Sequence, residues 1–323
     1  MALRRAVAHY PARVDFRRLG TTGLKVSAIG LGGNTFGGTV SGDAVLAVVR
    51  RALDLGVSFI DTADFYQRGH SEELIGQALE GRRAEAVVAT KLRHPMADSP
   101  YASGLSRRWL MVAVEASLRR LRTDYIDLYQ AHAPDDATPL EETLRAMDDL
   151  VHQGKVRYIG CSNYAAWELA YAVGISRRLG LARWASVQPR WNLLDGLDDP
   201  TLLPACRRLG VGMIPYTPLA SGILTGKYGR DQPPPGTRLG DMAQMRGRLT
   251  DAKIAAVERL EPWAEARGRT TGELAIAWLL AHPEVATVIV GARTPDQVAA
   301  NTRAVSWRLT PEERDEVAAL ARG

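Results

Sequence analysis

The sequence predicts an α/β fold, a single (β/α)8 TIM barrel, on the basis of three observations. From residue 26 onward, short apolar runs rich in Val, Ile and Tyr alternate with longer amphipathic segments. Strict alternation of this kind is typical of parallel sheets that are buried on both faces. The 323 residues contain eight such repeats without a break in composition, and a closed barrel needs about 250 residues. We therefore favour one closed barrel over an open sheet.

The eight predicted strands are short enough to be buried parallel strands. They lie at 26–31, 58–62, 86–91, 126–132, 156–161, 185–188, 212–217 and 285–291. Between them, apolar residues recur at helical spacing, for example along 110–121 and 140–151. Ser41 and Ser71 stand where helices would begin, and Gly56 and Gly180 where helices would end.

Three segments fall outside this repeat. The alternating run in 13–24 ends in Thr-Thr-Gly and predicts a small N-terminal hairpin that covers the barrel floor. The long loop after strand 7, at 220–248, contains three consecutive prolines and a glycine, and such loops usually bind or cover ligands. Residues 1–13 are basic without the apolar core of a signal peptide, so we expect a flexible N-terminal arm before a barrel at 14–323.

Composition argues against several classes of function. The chain is 46% apolar and 24% charged, which is ordinary for a globular protein, and we expect neither a membrane nor a nucleic-acid partner. The charge of +5 comes largely from Arg pairs scattered over many segments rather than from one basic stripe. Cys161 and Cys206 have no metal-ligand spacing and fit a reducing, cytoplasmic setting. We expect a monomer or homo-oligomer that acts on a small molecule without a metal.

Four polar residues stand at the carboxyl ends of neighbouring predicted strands, where the chemistry of a barrel gathers. Asp61, Lys91 and His132 end the second, third and fourth strands, and Tyr66 lies in the loop after the second. Reducing a carbonyl requires a proton at oxygen, but a tyrosine pKa of about 10 makes it a poor donor at neutral pH. The Lys91 ammonium would lower that pKa, and Asp61 would hold Lys91 in place. His132 would position the carbonyl or relay a proton.

Each of these residues also has a structural interpretation. Lys91 could be a salt-bridge partner, His132 a hydrogen-bonded rim histidine and Tyr66 a loop aromatic. Their occurrence together on one rim favours the acid site.

Several motifs, all in the expected order from about residue 16 to 301, resemble those of the aldo-keto reductase family. DTADFY at 61–66, followed by SEELIG at 71–76, resembles the family signature. The strands at 89–91 and 129–132 resemble those of its catalytic lysine and histidine, and 160–164 and 216–228 are similar to two further family motifs. The branch that the chain resembles includes bacterial reductases related to potassium-channel β subunits. The resemblance implies reduction of an aldehyde or ketone by a catalytic tetrad of Asp61, Tyr66, Lys91 and His132.

The resemblance also implies the contacts of a nicotinamide cofactor. Ser162, Asn163 and Gln188 would bind the carboxamide, and Tyr216 would stack on the nicotinamide ring. The following loop would cover the pyrophosphate with Thr217, Leu219, Ser221 and Lys227. Ser162 and Asn163 could alternatively cap the next helix.

The adenosine end would be bound by Gly291, Arg293, Gln297 and Asn301. Arg293 can hold a 2′-phosphate with its guanidinium fork, so we expect NADPH, with NADH as the alternative. Gly291 and Ala300 replace a lysine and a glutamate that are common in the family. On the substrate side, the small Ala133 predicts a roomy pocket, with Phe65, Trp191 and Arg93 as candidate lining residues.

Two other functions can be compared with this one. The glycines at 30–33 suggest a dinucleotide-binding fingerprint, but G-x-G-x-x-G requires glycine at the position of Thr35. The related potassium-channel β subunits suggest a regulatory, cofactor-binding role. No segment resembles a docking peptide, so we expect an enzyme.

Overall fold

The computed structural model describes residues 14–323, and the flexible arm expected at 1–13 lies outside them. Eight parallel strands form one sheet in the order β11-β8-β7-β6-β5-β4-β3-β12. They are β3 (Ile29–Gly32), β4 (Phe59–Asp61), β5 (Val87–Leu92), β6 (Ile126–Ala131), β7 (Val156–Ser162), β8 (Trp184–Gln188), β11 (Gly212–Met213) and β12 (Val288–Gly291). The ends of the sheet meet, because Met213 N–H donates to the Glu284 carbonyl at 2.8 Å and Ile289 N–H to the Pro215 carbonyl at 2.9 Å. The predicted (β/α)8 barrel is confirmed.

Helices cover the outside of the sheet. They are α1 (Asp43–Asp54), α2 (His70–Ala78), α3 (Arg107–Leu121), α4 (Leu140–His152), α5 (Ala166–Leu179), α6 (Leu202–Leu209), α7 (Arg238–Asp241), α8 (Asp251–Glu265), α9 (Thr271–Leu280), α10 (Pro295–Thr302) and α11 (Pro311–Arg322). The apolar faces expected along 110–121 and 140–151 are buried in α3 and α4. Gly180 ends α5 in the left-handed conformation, with φ 68°, as expected of a helix end. Within the described residues, no helix has the length and apolar character needed to span a membrane.

The N-terminal hairpin closes the barrel floor, as predicted. It consists of β1 (Phe16–Arg18) and β2 (Lys25–Ser27), paired antiparallel. Leu19, in the turn between them, is fully buried in a cluster with floor residues such as Leu128 and Ile214. The Arg17 guanidinium donates to the Val285 carbonyl at 3.0 Å and fixes the hairpin to the segment that precedes β12.

Three details of the prediction were wrong. The strand expected at 26–31 is two strands, because the chain bends at Ala28, whose N–H donates to the Asp15 carbonyl, before it enters the barrel as β3. Ser41 is not a helix cap, since α1 follows Gly42 without a side-chain cap. Ser71 lies inside α2, where its hydroxyl donates to the Gly33 carbonyl at 2.8 Å and fixes the first strand's loop instead.

The long loop predicted after strand 7 of the barrel, which is β11, is confirmed, and it contains short helical segments. Two 3₁₀ segments, Ala220–Thr225 and Ala243–Arg248, flank the short α7. Two short strands, β9 (Trp191–Asn192) and β10 (Gly196–Leu197), form a second excursion after β8. Both excursions lie at the carboxyl rim of the barrel, where the predicted site residues also lie.

Candidate active site

Lys91 is fully buried and is the centre of a hydrogen-bonded network at the carboxyl rim. Its ammonium donates to Asp61 Oδ2 at 2.7 Å and to the Thr62 carbonyl at 2.8 Å, and it lies 3.4 Å from the Tyr66 hydroxyl. Gln188 Nε2 donates to the other Asp61 oxygen at 2.8 Å. Burial opposes the charge on Lys91, but the attraction of Asp61 and the hydrogen bonds of the ammonium with Asp61 and Tyr66 outweigh it and raise the Lys91 pKa above its ordinary value. The ammonium is therefore charged and held in one position.

Tyr66 begins the 3₁₀ turn Tyr66–Gly69, directly after the second barrel strand. Burial raises the pKa of its phenol above the ordinary value; Lys91 lowers this pKa and Asp61 raises it further. The net direction differs from the lowering expected from Lys91 alone, because desolvation of the phenolate exceeds the attraction of the ammonium. Tyr66 is accordingly a neutral phenol at neutral pH, with a proton to donate.

His132 lies beside Tyr66 with their ring centroids 5.7 Å apart in an edge-on arrangement. Burial, followed by the charge of Lys91 and the neighbouring His94 and Arg93, lowers the His132 pKa to about 2. The imidazole is therefore neutral, and it can orient an oxygen but cannot act as a cationic proton donor. Its Nδ1 is buried and has no hydrogen-bond partner among residues 14–323.

The residues expected at the nicotinamide form one hydrogen-bonded group beside this network. Asn163 Nδ2 donates to the His132 carbonyl at 2.9 Å, and the Tyr216 hydroxyl donates to Asn163 Oδ1 at 2.8 Å. Ser162 Oγ donates to the Gln188 carbonyl at 2.9 Å. Neither Ser162 nor Asn163 caps α5, which follows Ala165. The alternative capping role is thus not observed.

The loop after Tyr216 has an unusual backbone. Thr217, Ala220, Ser221 and Gly222 have positive φ angles of 55°, 46°, 62° and 92°. Non-glycine residues adopt this conformation at a cost and usually at functional sites. Successive left-handed and right-handed residues turn their N–H groups to one side and form a concave site for an anion. Lys227 lies at the end of this loop and lines the same cleft.

Two arginines, Arg238 and Arg293, line the far end of the cleft. Arg293 Nη1 donates to the Gly236 carbonyl and contacts Asp241, while its Nη2 is buried without a hydrogen-bond partner among the described residues. Arg238 Nε is buried in the same unpaired state. Burial, with the repulsion of Arg248 and Arg293, lowers the Arg238 pKa. Buried guanidinium nitrogens without a hydrogen-bond partner are suited to bind an anion, and a phosphate is a common partner of arginine.

All of these groups line one cleft of about 540 Å³. Among its lining residues are Asp61, Tyr66 and His132 and the twelve predicted cofactor residues: Ser162, Asn163, Gln188, Tyr216, Thr217, Leu219, Ser221, Lys227, Gly291, Arg293, Gln297 and Asn301. Sequence reasoning missed Asn34 and Thr35, which follow β3, and Arg238, which lies in the insertion. The strand-end position was a usable signal for the first two. Nothing in the local pattern marked Arg238.

Of the residues expected to line the substrate pocket, Phe65 lies at the rim beside Tyr66, whereas Trp191 is buried elsewhere. Phe65 is 45% exposed beside Tyr66, and its ring lies 4.9 Å from that of His94. Trp191 is buried and packs against the rings of Trp278 and His282, so the structure does not bring it to the cleft. A large aromatic next to the strongly apolar α9 gains more free energy by burial there than at the rim.

Comparison with known proteins agrees with this geometry. Residues 28–322 match the profile described as the Aldo/keto reductase family. A protein of Schizosaccharomyces pombe named as a voltage-gated potassium channel subunit beta is 37% identical, covering 95% of this chain and 93% of the relative. Versiconal hemiacetal acetate reductase of Aspergillus parasiticus is 35% identical, covering 93% and 95%. L-Glyceraldehyde 3-phosphate reductase of Escherichia coli is 33% identical, covering 91% and 88%.

Proposed function

Because the chain belongs to the aldo/keto reductase family, we propose that it reduces an aldehyde or ketone to an alcohol with NADPH, and that Tyr66 donates the proton. The observation behind this proposal is the contact of the buried Lys91 ammonium with Asp61 and Tyr66. It joins a neutral acid to a fixed positive charge at the edge of a long cleft.

Several buried polar groups of the cleft have no hydrogen-bond partner among the described residues, and their positions support NADPH as the cofactor. At one end, Arg238 Nε and Arg293 Nη2 are buried without partners in the described part of the chain, which suits a 2′-phosphate. In the middle, the hydroxyls of Thr35 and Thr217 are buried and have no partner within residues 14–323, beside the left-handed loop, which suits a pyrophosphate. At the other end, Ser162, Asn163 and Gln188 would bind the carboxamide and Tyr216 would lie against the ring. When bound, the cofactor supplies the hydride.

Proton donation rests on this chain's own residues. As negative charge develops on the substrate oxygen, the Tyr66 hydroxyl passes its proton to it and becomes a phenolate. The Lys91 ammonium already lies 3.4 Å from the Tyr66 oxygen, so it stabilises the phenolate without reorganising. The neutral His132 would donate a hydrogen bond to the same substrate oxygen and orient it toward Tyr66.

The direct test is Tyr66→Phe, assayed by NADPH consumption with a panel of aldehydes and ketones. Loss of a general acid lowers kcat by about 10²–10⁴-fold. Affinity for NADPH should stay unchanged, because the groups proposed to bind the phosphates are remote from Tyr66. Tyr101→Phe, at a side chain that is 63% exposed, is the matched control and should keep normal turnover. Normal turnover by Tyr66→Phe would exclude the mechanism.

A regulatory role is the second candidate, and the relatives named as potassium channel subunits favour it. The same assay separates the two functions. NADPH binding without turnover on any carbonyl compound would support regulation. The substrate panel should include a phosphorylated aldehyde and a hemiacetal ester, in view of the two named reductases. We also propose a cytoplasmic location, which the free, buried Cys161 and Cys206 fit.

A further inference from the structure

The DTADFY motif contains a second aspartate, Asp64, that the proposed reaction does not use. Its side chain is 1% exposed. Both carboxyl oxygens are buried, and neither makes a hydrogen bond of good geometry among residues 14–323; the Phe65 backbone N–H is a weak donor beside them. Its backbone N–H donates to the Lys91 carbonyl at 3.0 Å, so the residue is fixed beside the catalytic strand. A carboxylate buried without partners is strongly destabilised relative to the neutral acid.

The groups that face Asp64 do not neutralise a negative charge there. They are Glu72 of α2, Arg120 of α3, Lys91 of β5 and Tyr129 of β6. Glu72 is itself fully buried and accepts hydrogen bonds from Arg120 Nε at 2.7 Å and from Thr90 Oγ1 at 2.6 Å.

Each nearby cation is therefore already paired with another carboxylate: Arg120 with Glu72, and Lys91 with Asp61. The Tyr129 hydroxyl is buried without a partner among residues 14–323 and carries no charge to offset one on Asp64. Burial, followed by the repulsion of Glu72, raises the Asp64 pKa to about 8, against the attraction of Arg120, the hydrogen bond of the Phe65 backbone N–H and the attraction of Lys91.

The segment that follows Asp64 is strained and packs on the same cluster. Gln67, Arg68 and Gly69 have positive φ angles of 49°, 55° and 94°. At Gly69 a Cβ would lie 2.6 Å from Arg120 Cδ, so the backbone rests directly on the Arg120 side chain. The conformation of this segment, which places Tyr66, thus depends on the buried cluster beneath it.

We propose that Asp64 is a neutral carboxylic acid in the native enzyme and acts as a positioning residue, allowing the strained 66–69 segment to close over the Glu72–Arg120 pair and hold Tyr66 beside Lys91. Two aspartates three residues apart then have different roles: Asp61 pairs with the Lys91 ammonium, whereas Asp64 is protonated. Ionisation of Asp64 places an unpaired charge under the segment and displaces Tyr66. This inference rests on the proposed role of Tyr66, but its first test does not require activity.

The first test is stability against pH for the wild type and Asp64→Asn, whose amide has the shape and charge of the neutral acid. Unfolded Asp64 ionises near its ordinary pKa of about 4, whereas the folded group keeps its proton to about pH 8. Its contribution to stability is therefore present below pH 4 and is lost as pH rises to 8. The unfolding constant of the wild type, relative to Asp64→Asn, should rise about tenfold per pH unit between pH 5 and 8.

Asp98→Asn, at an exposed position, is the matched control and should give a ratio independent of pH. The carboxylic-acid C=O band in the infrared spectrum, present at about pH 6.5 and absent in Asp64→Asn, would support the same assignment directly. A pH-independent stability ratio for Asp64→Asn, or no such band, would overturn the proposal.

The second test is the pH profile of kcat. The wild type should lose kcat above about pH 8, before Tyr66 itself titrates, and Asp64→Asn should retain it to higher pH. Asp64→Ala should lower kcat, with Asp64→Asn restoring it. Identical pH profiles for wild type and Asp64→Asn would refute the positioning role. Should Tyr66→Phe keep normal turnover while the stability ratio behaves as expected, the proposed acid fails and the neutral Asp64 stands.

Discussion

At the residue scale, the site depends on charges that are balanced one to one inside the protein. Lys91 is completely buried, and a buried ammonium remains charged only when a carboxylate pairs with it. Here Asp61 accepts a hydrogen bond from the Lys91 ammonium at 2.7 Å, and Gln188 donates to the other Asp61 oxygen. The same pairing leaves nothing to neutralise Asp64. The protonation state of each carboxyl group thus depends on whether a nearby cation is free to pair with it.

Asp61→Asn tests this balance. Removing one partner of a buried pair leaves an uncompensated charge, so the free energy of unfolding should fall by about 3–5 kcal/mol. Urea denaturation measures the loss. The double variant Asp61→Asn/Lys91→Met should recover part of that stability, because no buried charge remains, while turnover stays low. A double variant less stable than Asp61→Asn would show that the pairing does not set the stability.

At the element scale, the barrel strands could be predicted because their length and apolar content are local properties of the sequence. The pairing direction is not local, and for this reason the antiparallel β2 and the parallel β3 were merged at 26–31. The strand-end residues of the tetrad came together because parallel strands end on one rim. Trp191 was misplaced, since a position after a strand does not say which way the side chain points. Arg238 was missed because irregular insertions have no periodicity.

The insertion that follows β11, the seventh barrel strand, leads to a prediction about cofactor preference. Arg238→Ala removes one of the two guanidinium groups that we assign to the 2′-phosphate, each of which has one nitrogen without a hydrogen-bond partner among the described residues. A hydrogen bond to a charged group contributes about 1.5–3 kcal/mol, so KM for NADPH should rise about 10–150-fold. KM for NADH, which lacks that phosphate, should change little. Arg230→Ala is the matched control, because Arg230 lies on the same insertion but pairs with Glu258 at the surface. Equal effects on both cofactors would contradict the assignment.

At the scale of the whole molecule, three buried titratable groups act on stability in opposite directions. Burial lowers the pKa of His132 to about 2 and that of His282 to about 4, while Asp64 is raised to about 8. Below pH 6.5 the unfolded chain takes up protons at both histidines that the folded chain refuses, so their contribution to stability is lost as pH falls. From pH 4 to 8 the Asp64 contribution is lost as pH rises. Stability from these groups should therefore be greatest between about pH 6 and 7.

His282→Phe tests the acid side of this balance. His282 packs against Trp191 and Trp278, with Nε2 buried and unpaired among the described residues, so phenylalanine can fill its place. The variant takes up one proton fewer than the wild type on unfolding. Its free energy of unfolding therefore lacks a dependence on pH of about 1.4 kcal/mol per pH unit between pH 4.5 and 6. Relative to the variant, the wild type should lose about tenfold in its folding constant per pH unit as the solution is acidified. Denaturant titrations at several pH values measure this ratio. His152→Gln, at a side chain that is 75% exposed, should leave the slope nearly unchanged. Equal slopes for the wild type and His282→Phe would mean that His282 is protonated in the folded protein, and the acid loss of stability would then have to come from His132 alone.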